Sequence, residues 1–120
     1  MKKLAWGCGL FLLLLTGCTN TQRVPSDIYP KEKMEAILWD MLLADRFSAQ
    51  YLLKDSAKIN VRDTTFKLYD QVFQVHHTTK EEFLKSYKFY LSRPDITKVM
   101  LDSLAARSNR SRDALLKEVH

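Results

Sequence analysis

KEKMEAILWDMLLADRFSAQYL, residues 31–52, is the stretch on which the fold turns. Its apolar side chains recur at helical spacing: Met34, Leu38, Met41 and Leu52 share a face with Asp45, and Ile37 and Leu42 flank it. A second apolar stripe, Trp39, Leu43 and Phe47 at i, i+4 and i+8, lies on roughly the opposite side. A helix that is apolar all round is normally buried on several sides. The pattern therefore predicts the central helix of a small bundle. The competing reading leaves Trp39, Leu43 and Phe47 open to bind a partner.

Downstream, residues 55–60 break the pattern, and Asp63 or Thr64 is placed to cap a second helix. Phe66, Tyr69, Phe73 and His76 would form its inner stripe beside Val72. Thr79-Lys80-Glu81-Glu82 is a capping box, in which the hydroxyl accepts from the third amide and the glutamate reaches back. It starts a third helix at Lys80, with Phe83, Tyr87 and Tyr90 inward and Lys85 and Lys88 outward. Pro94 biases Arg93 away from helical geometry and forces a boundary. A fourth helix follows from about Asp95, with Ile96, Val99, Met100 and Leu104 inward. Residues 108–112 interrupt or expose it, leaving a frayed basic tail to His120. With no strand pattern, residues 31–120 read as an all-α bundle of three to four helices.

Upstream lies an address. Lys2 and Lys3 precede an apolar run from Leu4 to Leu15 that is too short to span a bilayer. Leu15-Thr16-Gly17-Cys18 then reads as a lipoprotein signal: residues 1–17 are removed and Cys18 is acylated. Cys8 goes with the signal, so the mature chain holds neither a free thiol nor a disulfide. Residues 18–30 form the lipidated cysteine and tether. Their Thr19–Tyr29 part reaches at most ~40 Å when stretched and about 18 Å as a coil. Thr19 is not the aspartate that holds lipoproteins at an inner membrane, and no acidic surface-export run follows. The expected location is the periplasmic face of the outer membrane.

The chain's formal charge of +5 owes two units to Lys2 and Lys3. The tail cluster Arg107, Arg110 and Arg112 is a weak nucleic-acid footprint, opposed by export. It reads as a solvated face or as attraction to anionic headgroups. All three glycines, Gly7, Gly9 and Gly17, lie in the signal, so the mature chain cannot carry a phosphate-cradling glycine loop. His76 and His77 diverge by about 100° on a helix, which does not suit facial chelation of a metal. Ser48, Ser56, Ser86 and Ser103 lack a nucleophile-elbow motif. Asp45, a carboxylate on an apolar face, needs a partner or a polar cleft, and Asp40 is placed to bond a neighbouring helix or loop. The expected cofactor list is empty apart from the lipid on Cys18. The expected partners are the membrane and envelope proteins, with neither nucleic acid nor a small-molecule substrate. The expectation is a non-catalytic accessory protein. A chaperone-like module is one rival, and a small enzyme using Asp40, Asp45 and His76 is another.

Two blocks of spacing then become familiar. Pro30, Met34, Ile37-Leu38, Asp40 and Leu43-Ala44 form the first. Val72-Phe73, His76, Thr79, Glu82-Phe83, Ser86-Tyr87, Tyr90 and Pro94 form the second. Together they resemble the domain-of-unknown-function 4296 family over about residues 26–105. The resemblance implies a small helical lipoprotein of Bacteroidota-type bacteria and supplies no activity. Leu42 stands where that family is expected to have histidine, and His77 where it is expected to have glycine. Histidine can adopt the left-handed conformation, though less readily than glycine.

Overall fold

The computed structural model describes residues 23–55 and 57–118; the signal, Cys18 and the last two residues lie outside them. Four helices are present among the described residues, α1 (Lys31–Phe47), α2 (Val61–Val75), α3 (Lys80–Leu91) and α4 (Pro94–Glu118), confirming the all-α bundle. None is long and apolar enough to cross a membrane.

Helix α1 is central, as its all-round apolar pattern predicts, and packs against the other three. It starts on Pro30, whose extended backbone leads into the first turn and whose carbonyl accepts from the Met34 N–H at 3.0 Å. At its far end it widens into a π-helical segment, Ser48–Leu52, before a short 3-10 turn, Leu53–Asp55. Small side chains allow α2 close to it: Ala44 and Ser48 are buried. The Ser48 hydroxyl donates to the Ala44 carbonyl at 2.9 Å and accepts from the Thr65 hydroxyl at 2.8 Å.

Helix α2 is capped by Asn60, not by Asp63 or Thr64 as expected. The Asn60 side chain accepts from the Asp63 N–H at 3.2 Å, while its own amide donates to the Asp63 carboxylate at 2.7 Å. Three neighbouring residues could each serve as a cap, and the helix takes the earliest. At the other end His77 sits in the left-handed region at φ 49°. The Thr78 N–H reaches back to the Phe73 carbonyl at 3.0 Å, and the His77 N–H to that of Gln74 at 3.1 Å, closing a Schellman turn in the place where glycine is usual.

The capping box at Thr79 and Glu82 forms as read, with both reciprocal bonds present. Pro94 occupies the first turn of α4, where its missing N–H costs nothing. Of the two readings of residues 108–112, exposure holds, with none of them buried, and interruption does not. Helix α4 runs unbroken for 25 residues, about 37 Å. That segment contains neither glycine nor proline, and it follows and precedes good helix formers (Ala105, Ala106, Ala114, Leu115).

The core joins Met34 and Ile37 of α1 with Phe73, Phe83, Tyr90, Ile96 and Met100 from the other helices. Two expected core residues, Phe66 and Val99, are instead about half-exposed. Residues 24–30, expected as part of a tether, are instead packed on the domain. Ile28 is buried in the same core, with Val24 and Tyr29 packed against it, and the Ile28 N–H closes a turn onto the Pro25 carbonyl at 3.1 Å.

Candidate functional site

The second half of α1 brings together most of the residues singled out in the sequence. The stripe Trp39, Leu43 and Phe47 is divided rather than open or covered as a unit. Trp39 is only 7% exposed. It lies beneath the Arg107 guanidinium, 4.3 Å from the ring centroid, in a cation–π contact. This corrects the reading of Trp39 as a partner-binding residue: α4 continues far enough to cover it. Arg46 donates to the Ser108 hydroxyl at 3.0 Å, and Ser103 to the Glu35 carboxylate at 3.3 Å, holding α4 along the same side of α1.

Beyond that crossing the stripe emerges. Leu43 is 41% and Phe47 46% exposed, and Tyr51 continues the row at 58%. The Phe47 and Tyr51 rings lie 5.1 Å apart in a tilted pair. Tyr51 belongs to the π-helical segment, a local widening of the kind often found at functional sites. Tyr51 was missed in the sequence, although its i+4 spacing from Phe47 extends the stripe. The π segment is held by side chains, since the Ser48 hydroxyl links Ala44 to Thr65 across α1 and α2.

The polar residues nearby are paired. The Asp40 carboxylate meets His76 Nε2 at 2.7 Å, tying α1 to the end of α2, as expected for a bond to a neighbouring helix. Asp45 takes a hydrogen bond from the Tyr69 hydroxyl rather than pairing with a base. Desolvation, and then that bond to a carboxylate, push the Tyr69 hydroxyl up to about 12. The three residues of the enzymatic reading are thus divided between two bonds, Asp40 with His76 and Asp45 with Tyr69. Among the described residues, no three His, Cys, Asp or Glu side chains are grouped to hold a metal ion.

A groove of ≈ 370 Å³ opens between α1, α2 and α3. Met41, Tyr69, Phe73 and Phe83 line it, with half-exposed Phe66 and less exposed Leu84, and Asp70 and Lys80 supply its charged groups. The aromatic set expected as core is therefore partly groove wall. Leu42, at the position where the resemblance placed histidine, is about half-exposed beside a smaller, nearly apolar crevice of ≈ 170 Å³ between α1, α3 and α4.

Comparison with known proteins agrees with the two blocks of spacing. The model of a family described as a domain of unknown function (DUF4296) matches residues 25–114, and the chain belongs to that family. The matched span begins at Pro25, so it includes the packed segment ahead of α1 and most of α4. No curated protein and no solved structure matches the chain.

Proposed function

We propose that this protein is an outer-membrane lipoprotein, anchored through acylated Cys18 at the periplasmic face, whose helical domain binds other envelope proteins without catalysis. The observation that supports the binding role is the row Leu43, Phe47 and Tyr51, an apolar edge left open where α4 stops covering α1. Contiguous exposed apolar surface marks interaction sites more often than isolated exposed leucines do. Aromatic side chains such as Phe47 and Tyr51 offer large contact area, and a tyrosine adds a polar tip. The sequence supports the anchor through Leu15-Thr16-Gly17-Cys18.

The test is photo-crosslinking in intact cells from a probe replacing Phe47, compared with one replacing exposed Leu115 on the bare end of α4. A reproducible envelope-protein adduct from Phe47 alone supports the reading; equal, diffuse labelling from both positions defeats it. Globomycin-sensitive processing and the mass of the mature terminus test the anchor separately.

The groove favours a second reading, a chaperone-like module that shields apolar segments of unfolded envelope proteins. Under that reading, the protein suppresses aggregation of a denatured outer-membrane protein. Phe66→Asp then abolishes the suppression, while Phe47→Asp leaves it intact.

A further inference from the structure

The packed segment ahead of α1 determines where the domain meets its anchor. Val24 lies against the core, and the Asp27 carboxylate meets the Lys85 ammonium at 2.8 Å. The Tyr29 N–H donates to the Ser86 hydroxyl at 2.9 Å, and the Tyr90 hydroxyl donates to the Tyr29 carbonyl at 2.8 Å. The chain is thus laid along α3 from Val24 onward. Only six peptide steps separate Val24 from Cys18, at most ~21 Å. Helix α3, 12 residues long, is about 18 Å end to end, so its whole outer surface lies within that reach.

That surface has a composition suited to a lipid interface. On the helical wheel Lys85 and Lys88 project away from buried Phe83, Ser86 and Tyr90, with Leu84 and Leu91 beside them and Lys80 on the flank, where Lys80 and Leu84 also border the groove. Glu81 is the one acid of α3 on this arc, and Asp27 pairs with Lys85. Leu91 is 59% exposed and Leu84 more than a third. Lysine stems lie along apolar surface while their ammonium groups extend to anionic oxygens. Basic and apolar side chains together bind an anionic bilayer surface.

We infer that the outer face of α3 rests on the anionic phospholipid surface that holds the Cys18 acyl chains. This orients the domain so that Leu43 and Phe47, on the far side of α1, face away from the bilayer. The inference rests on the proposed acylation of Cys18. It adds a defined contact face to an anchor that would otherwise leave the domain free to tumble.

Acylation leaves the mature chain without a thiol, so an introduced cysteine is unique. The experiment uses the full-length processed protein with Leu91→Cys or Leu43→Cys, each carrying a fluorophore. Each is reconstituted in vesicles of phosphatidylethanolamine and phosphatidylglycerol containing a headgroup-nitroxide lipid. Quenching at position 91 is expected to exceed that at position 43 several-fold. Lys80→Glu with Lys88→Glu, which spares the Asp27–Lys85 pair, is expected to collapse the contrast, as is high salt. Equal quenching at the two positions, or contrast indifferent to the charge reversal, overturns the inference when mass spectrometry finds Cys18 acylated. An unmodified Cys18 in the same sample overturns the anchor itself, and this orientation with it.

Discussion

The two ends of the folded region contrast sharply. Residues 24–30 have little regular secondary structure, yet they are held by buried Ile28, by Tyr29 bonds to Ser86 and Thr78, and by Tyr90 bonding the Tyr29 carbonyl. Residues 109–118 are regular helix, yet nearly all exposed, with Leu115 and Leu116 more than half in solvent. A helix satisfies its own backbone groups wherever it runs, but hydrogen bonds exchanged with water contribute little net stability. Burial is what holds a segment. By that measure the irregular end belongs to the domain and the regular end does not.

The largest test of this contrast is Tyr90→Ala. Tyr90 is fully buried and joins the N-terminal segment to the core, so its loss is expected to cost ~3–5 kcal/mol, as for other large buried aromatics. Leu115→Ala and Leu116→Ala, also large-to-small changes, are expected to stay within about 0.5 kcal/mol. Urea unfolding followed by far-ultraviolet circular dichroism measures all three. If Leu115→Ala cost as much as Tyr90→Ala, the end of α4 would be packed against something and the comparison would fail.

What the sequence made legible follows the same division between local and distant causes. The capping box at Thr79 and Glu82 and the boundary at Pro94 are read correctly because a few adjacent residues determine each one. The central role of α1 follows from its own periodicity. The packed segment looks like tether in the sequence because its partners, Ser86 and Tyr90, lie 57 and 61 residues away from Tyr29. Trp39 resembles a binding residue in the sequence because only the continuation of α4 past residue 104, which has no local signature at Trp39, lays Arg107 over it. For Asp45 the sequence calls for a partner or a polar cleft without naming which, because the tyrosine that bonds it is 24 residues further along. Of the site, the stripe's spacing was visible, while its division into covered and open parts came from tertiary packing.

A smaller effect concerns the corner on which the N-terminal segment rests. His77 holds a left-handed conformation, which costs a non-glycine residue roughly 1–2 kcal/mol. His77→Gly removes that strain but gives the unfolded chain more freedom, so a net gain of about 0.5–1 kcal/mol is expected. Because the Tyr29 hydroxyl meets Thr78 Oγ1 at 2.7 Å, the gain should extend to residues 24–30 and slow amide exchange at Tyr29. Exchange at residues 109–118 should not change. A stability loss in His77→Gly would mean that the histidine side chain makes a contact worth more than the strain.

The finest test is a titration. The Glu82 carboxylate accepts from the Thr79 N–H at 3.0 Å and from the Tyr29 hydroxyl at 3.0 Å, so it links the capping box to the packed segment. The Thr79 N–H, and then the Tyr29 hydroxyl, hold its pKa below the ordinary value of 4.5. A carboxylate depressed in the folded state contributes stability that is fully present above the unfolded value and is lost as pH falls through the folded one. Acidification through the depressed folded value is therefore expected to weaken the Tyr29 contact. Because Glu82 is exposed, the change should be read as a shift in its own carboxyl resonance rather than as a large fall in stability. Tyr29→Phe should move the Glu82 midpoint upward but only part of the way, since the Thr79 N–H still donates to the carboxylate. A wild-type midpoint at the ordinary glutamate value would mean that neither the Thr79 N–H nor the Tyr29 hydroxyl favours the ionised carboxylate in solution, leaving the irregular end to its packing and to its bonds with Ser86 and Tyr90.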